Sequence, residues 1–209
     1  MNQVRIIRYS QKNSNHEENR YPAFVVPIFF PTDGTEPQFI MVRAAPGSRR
    51  VGKLEFPGGT NDGEPDNVTA ARECREETCN YLDLQPDELQ FCIRKILSKT
   101  SIYYVQVPFM SNTKFQENLA QETRKPYLEM DKLVRVPISN FFKNNKPIFP
   151  TSDIKIKSVY GTEFTVWKFA AMMIFQLLRR IGTDRDQVSA KQKRSASLSS
   201  ALDPKKIFK

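Results

Sequence analysis

The sequence predicts an α/β fold, a sandwich in which a mixed β-sheet lies between helices. Runs rich in β-branched and aromatic residues occur on both sides of the chain's middle. Between them a charged, strongly helix-forming segment follows a Pro-Gly-Gly turn, and an amphipathic apolar segment closes the folded part before a polar tail.

The first two strands are read from "AFVVPIFFP" (23–31) and "QFIMVRA" (38–44), separated by the turn-forming "TDGTEP". A third short run, "GKLEFPGG", ends in the glycine turn. The helix after it is expected to start with Asp66 as N-cap behind Pro65, and Ala70, Ala71 and the charged residues that follow favour helix. Residues 89–98, 101–110 and 132–139 read as further strands, and the polar stretch between the last two as a long loop over one face. Residues 163–181 place Phe164, Trp167, Ala171, Ile174, Phe175, Leu178 and Ile181 at helical intervals, which predicts a helix with one face on the sheet. Its aromatic and Met content is expected to serve the core rather than a cofactor pocket. One domain over residues 1–181 is therefore expected. Residues 182–209 form a basic, Ser-rich tail, expected to be flexible because it can bury too little apolar surface to offset the entropy of ordering.

Composition narrows the function classes. No apolar run is long enough to span a membrane, and the N-terminus lacks the apolar core of a secretory signal, so a cytoplasmic protein is expected, with nuclear entry through the basic tail as the alternative. Cys74, Cys79 and Cys92 are odd in number and lack metal-ligand spacing, which argues for reduced thiols. The single histidine, His16, lies in a polar stretch, so catalysis must rest on other residue types. The formal charge of +9 favours phosphate-rich partners without choosing among nucleic acid, an anionic membrane face and a small nucleotide.

The chemistry concentrates in "FPGGTNDGEPDNVTAARECREETCNYL" (56–82). On a helix Glu73, Glu76 and Glu77 share a face, and like charges at that spacing cost a few tenths of a kcal/mol per pair. A solvated helix with Arg72 and Arg75 pairing the glutamates is the bland alternative. It is weakened by the adjacent glycine turn, whose bare carbonyls and neighbouring carboxylates are the oxygen ligands that hard divalent cations prefer.

The order Gly58, five residues, Glu64, seven residues, Arg72-Glu73-Cys74-Arg75-Glu76-Glu77 resembles the box of the Nudix hydrolases, G-x5-E-x7-R-E-U-x-E-E-x-G-U, through its catalytic portion. The resemblance extends over about residues 20–180, with "KLEFPGG" similar to the strand and turn that enter the box. The chain departs from the pattern at the box end, where Cys79 and Asn80 replace Gly and an aliphatic residue. It also departs at the glycines, where the first of the pair fits the spacing, and at Leu54, where Trp is usual before the turn.

What the resemblance implies is a Nudix-type α/β/α sandwich and a Mg²⁺- or Mn²⁺-dependent hydrolase. The expected reaction is water attack on the diphosphate linkage of a nucleoside diphosphate derivative: a nucleotide sugar, an ADP-ribose-like compound or a nucleoside triphosphate. Glu73, Glu76 and Glu77 would bind metal with a carbonyl of Gly58 or Gly59, and Glu64 with Arg72 would brace loop against helix. The general base is either a box glutamate or a loop glutamate, for which Glu117, Glu122 and Glu129 are candidates, with Glu122 preferred for its place in mid-loop. Arg43 and Lys53 are nominated for substrate phosphates, with Arg49 and Arg50 as alternatives, although all four are also ordinary surface charges. Lys95, Ile96 and Leu97 occupy the region where subgroup markers stand, so the substrate class is open. An RNA-directed enzyme and a non-catalytic nucleotide sensor are the competing expectations, and the resemblance also admits a homodimer.

Overall fold

A computed structural model describes residues 21–124 and 128–189. Two strands open the fold, β1 (Ala23–Phe29) and β2 (Gln38–Ala44). Then come β3 (Lys53–Glu55), the two-residue β4 (Gly58–Gly59) and the box helix α1 (Asp66–Glu77). A single turn, α2 (Pro86–Leu89), leads into the hairpin β5 (Ile93–Leu97) and β6 (Thr100–Val107). Next are α3 (Asn112–Ala120) and β7 (Met130–Pro137). A 3-10 turn (Ile138–Phe141) precedes the small hairpin β8 (Phe142–Lys143) and β9 (Lys146–Pro147). The fold closes with β10 (Ile154–Lys157), β11 (Glu163–Val166) and α4 (Lys168–Ser189).

Among the described residues the main sheet runs β10-β11-β3-β2-β1-β6-β5, with β4 on β1 and β7 on β2. It is mixed: β1 lies parallel to β6 and β11 parallel to β3, while the other pairs are antiparallel. Alternation along the strands sorts the core into two layers. Phe24, Val26, Ile28, Phe39, Met41, Ile102 and Tyr104 pack with Met173, Ile174 and Leu177 of α4. Ala23, Val25, Ile40, Val42, Tyr103 and Val105 pack on the other face with Ala70, Ala71 and Cys74 of α1 and Phe115 of α3. The layering is the expected α/β/α sandwich.

One topological detail positions the site. β2 is paired with β7 along its whole length, so its other edge must serve both β1, at Gln38 and Phe39, and β3, at Val42 and Arg43. β1 and β2 diverge, and the segment from Lys53 to Gly59 crosses the gap, starting beside β2 and ending beside β1 at Ala23 and Phe24. The glycine bend therefore sits in a split of the sheet, under the edge of α1.

Several sequence expectations are corrected. Asp66 is not the N-cap: Pro65 is, and the Asp66 side chain turns inward to Arg94 and Ser101. The stretch read as a loop carries α3, started by Ser111 accepting a hydrogen bond from the Lys114 N–H at 3.2 Å. Residues 89–92 belong to the α2 turn and its exit rather than to a strand. Residues 163–166 form β11, because Trp167 N–H bonds Leu54 O in the sheet pattern and helix begins only at Lys168. α4 continues past Gly182 to Ser189, beyond the composition boundary. His16 and residues 190–209, with the localisation reading placed on the tail, lie outside the described residues.

Candidate functional site

The bend and the box helix meet through two glycines. Gly58 has φ of +154°, and a Cβ there would approach Ala23 O to 2.4 Å and Phe24 Cδ1 to 2.5 Å. Its freed N–H donates to Glu77 Oε2 at 2.8 Å, deep in the protein. Gly59 has no room for a different reason: a Cβ would lie 2.6 Å from the Glu73 carboxylate. Two glutamates of α1 thus rest against two consecutive glycines: Glu73 approaches Gly59 as only a residue without a side chain permits, while Gly58 is required by Ala23 and Phe24 and offers Glu77 its N–H.

Arg72 organises the remaining carboxylates. Its Nε donates to Glu64 Oε1 at 3.0 Å, and Nη1 reaches Glu73 Oε1 at 2.9 Å and Glu76 Oε2 at 3.3 Å. Nη2 pairs with Asp62 at 3.2 Å and donates to Thr60 O at 3.4 Å. Loop and helix are therefore braced through Glu64 and Arg72. Burial works against the Arg72 charge, yet its hydrogen bond with Glu64 and the charges of Glu73, Glu64 and Glu76 outweigh it and raise the pKa.

Burial and mutual repulsion raise the carboxylates' pKa values. Burial pushes Glu73 up to about 7 despite Arg72, with Glu76 and Glu129 adding to the rise. Burial raises Glu77 well above the ordinary carboxylate range, opposed by the Gly58 N–H and reinforced by Glu55, Glu73 and Glu129. Glu55, 1% exposed, is raised by burial and by Glu129 and held down by Arg50. Arg50 Nε lies 2.6 Å from Glu55 Oε2, an ion pair that opposes the effect of burial on Glu55. Four glutamates, Glu55, Glu73, Glu77 and Glu129, act on one another electrostatically around the bend.

The other nominated residues fall as follows. Glu122 is not brought to the cluster: both of its oxygens accept from Arg124, at 2.8 and 2.6 Å, holding its pKa at about 2, and its charge acts on Cys79 at the exit of α1. Glu117 pairs with Lys114 on the exposed side of α3. Glu129 immediately precedes β7 beside the end of β2, where Ala44 pairs with Met130, and is the loop glutamate whose charge reaches Glu73 and Glu77. Arg43 is held bidentate by Asp131 at 2.7 and 3.0 Å, Lys53 by Asp153 at 2.7 Å, and Arg50 by Glu55 and the Trp167 ring. Among the described residues Arg49 alone of these cations is exposed without an ion-pair partner.

Glu55 was missed by sequence reading, and its position in "LEFPGG" gives little sign of burial. The signal lay in strand alternation, since Leu54 enters the α4-side core and Glu55 must then face the α1 side.

The turn that leaves α1 is left-handed. Cys79 and Asn80 both take left-handed conformations, φ +50° and +56°, where glycine is customary. The turn is secured by Asn80 N–H bonding Arg75 O at 2.8 Å and by Asn118 Nδ2 of α3 donating to Cys79 O at 2.9 Å.

No family model matches the chain, and no curated protein matches it. Among solved structures, a MutT/nudix family protein from Enterococcus faecalis aligns over 95% of this chain and 76% of its own, with a TM-score of 0.50 and 12% identity. The chain has a Nudix-like fold. A mutT/nudix family protein from Listeria innocua aligns at TM-score 0.41 and 12% identity over 85% of this chain and 100% of that one. The T. brucei MERS1 protein in its apo form aligns at 0.33 and 15% over 42% of this chain, which spans 38% of MERS1. These two looser alignments add nothing to the Nudix-like assignment, which rests on the architecture.

Proposed function

We propose that this Nudix-like domain is a divalent-metal-dependent pyrophosphohydrolase of a nucleoside diphosphate derivative. The observation that carries the reading is the seating of Glu77 and Glu73 on Gly58 and Gly59, inside a group of carboxylates whose pKa values burial and their mutual repulsion raise.

The donor chemistry fits Mg²⁺ or Mn²⁺: every candidate atom is a carboxylate or carbonyl oxygen, without competing thiolate or imidazole. Among the described residues no three acidic side chains converge on a common point as a ready cage. Glu77 is turned to the Gly58 N–H, and Glu73 and Glu76 to Arg72. Glu73, Glu76 and Glu77 would hold the cation, with Gly58 or Gly59 contributing a carbonyl. When bound, such a cation neutralises charge on the phosphate oxygens and acidifies a water molecule.

The chain's own residues supply the rest. Glu64 and Arg72 fix the helix edge against the bend. Glu129, exposed at the start of β7 and within electrostatic reach of the cluster, replaces Glu122 as the proposed loop base and would take a proton from the attacking water. Arg49, unpaired and exposed, is the cation free to meet a substrate phosphate.

The test is a panel of nucleotides, dinucleotides, sugar nucleotides and capped RNA incubated with Mg²⁺ or Mn²⁺. Glu77→Gln is expected to lower turnover of the best substrate about 10²-fold or more, and Glu129→Gln by a similar factor. Undiminished turnover in Glu77→Gln would remove the proposed site. Saturable nucleotide binding with no turnover under any metal would leave the sensor reading in its place.

A further inference from the structure

On the opposite side of the bend from α1 lies an open cavity of about 280 Å³, lined by Leu97, Ser98, Trp167, Lys168, Phe169 and Met172. Its aromatic wall is ordered: the Trp167 and Phe169 ring centroids are 5.3 Å apart, and Phe169 meets Phe24 edge-on at 5.8 Å. Phe24 is the cross-strand partner of Gly58. Arg50 lies 4.4 Å above the Trp167 ring and pairs with Glu55, so the cavity wall and the carboxylate cluster share one cation.

The opposite wall is the β5–β6 turn. Leu97 pairs with Thr100 across two residues, Ser98 and Lys99, both left-handed at φ +48° and +60°. A two-residue turn of this kind favours Asn-Gly, so Ser-Lys holds it at a cost in strain. The same strand end reaches the bend, since Ser101 pairs with Ala23 and Ala23 with Gly59. Cavity and bend thus occupy one end of the sheet.

We propose that this cavity is the subsite for the nucleobase of the substrate, stacked on Trp167 and Phe169, with Ser98 and Lys168 at its polar edge and the phosphates directed to Gly58 and Gly59. The inference rests on the nucleotide reading of the site and adds where the base is recognised. Volume decides what fits: the cavity falls just below the roughly 300–1,000 Å³ that encloses a whole small ligand, and suits one planar ring system with its sugar and phosphates outside. Two aromatic rings and a thioether offer a base stacking and dispersion contacts, while the hydroxyl and ammonium give its edge hydrogen-bond partners.

Trp167 is the only tryptophan in the chain, so its fluorescence reports on this wall alone. The experiment titrates the full chain, without metal, with AMP, GMP, CMP and UMP, and with ribose 5-phosphate as the base-free probe. At least one nucleotide is expected to quench saturably where ribose 5-phosphate does not. Met172→Phe, which fills the cavity, should weaken that nucleotide about tenfold or more. Ser98→Gly relieves the turn while removing the hydroxyl, so weaker binding in this variant is not a folding defect. Equal quenching by ribose 5-phosphate, or unchanged affinity in both variants, would overturn the proposal. So would a change of oligomeric state in Met172→Phe, which would mean that a second copy fills the cavity. Glu77→Gln should keep the quenching; quenching without turnover in the parent protein would defeat the hydrolase reading and leave the base subsite standing.

Discussion

Glu73 and Glu77 hold protons more tightly in the fold than in the unfolded chain, and the sign of the consequence follows from linkage. A carboxyl whose folded pKa is raised contributes stability below its unfolded value that is lost as pH rises. For Glu73 that window runs from about 4.5 to about 7, and Glu77, raised well above 4.5, acts in the same direction. The metal-free protein should therefore melt at a lower temperature at pH 8 than at pH 5, measured by calorimetry, and added Mn²⁺ should recover much of the loss at pH 8. Glu77→Gln should raise the metal-free melting temperature at pH 8, since an amide still accepts from Gly58 without burying a charge, while abolishing the Mn²⁺ response. Arg72→Ala is expected to destabilise the fold by about 3 kcal/mol or more, because it strands three partly buried carboxylates at once. A loss below about 1 kcal/mol in denaturant unfolding would show that the brace is ornamental.

At the scale of elements, the glycine bend is useful only because β1 and β2 part and let the 53–59 segment change partners. Gly59→Ala should remove activity while leaving a folded protein by circular dichroism, because its Cβ would displace the Glu73 carboxylate rather than the core. Gly58→Ala meets backbone and a packed ring instead and should fail to fold stably. Much of this level was legible: strands β1, β2, β6 and β7 stand out as runs rich in β-branched, aromatic and other apolar residues, and the spacing after the glycine turn located α1 and its bend. The elements that sequence missed share a cause. α3 buries only Phe115 and Leu119 partway along a polar surface, so its periodicity is faint. β11 continues without a break into an apolar helix, so period alone could not separate them. Glu129 could not be told from Glu122 because the deciding feature is the β2–β7 register, which sets Glu129 beside the end of β2 and is not local in pattern.

Across the whole molecule, two apolar layers clamp the sheet, and the fold depends on both. Phe39→Ala, at a fully buried ring meeting Phe56 and Phe141 edge-on, should cost about 3–5 kcal/mol in denaturant unfolding. The net charge of +9 bears on partners rather than on the fold. If the substrate is a small nucleotide, raising salt from about 50 to about 200 mM should change kcat/KM only severalfold, whereas a long RNA held by many phosphate contacts should lose on the order of 10³ or more. No helix among the described residues is long and apolar enough to cross a membrane. The central claim is that an acidic helix edge seated on two glycines takes up a divalent cation. Isothermal titration of the parent protein and of Glu77→Gln with Mn²⁺ near pH 7 addresses it most directly. The parent should bind Mn²⁺ with release of protons as Glu73 and Glu77 ionise, and Glu77→Gln should bind at least about tenfold more weakly with fewer protons released. Equal affinity and equal proton release in the two proteins would contradict the account.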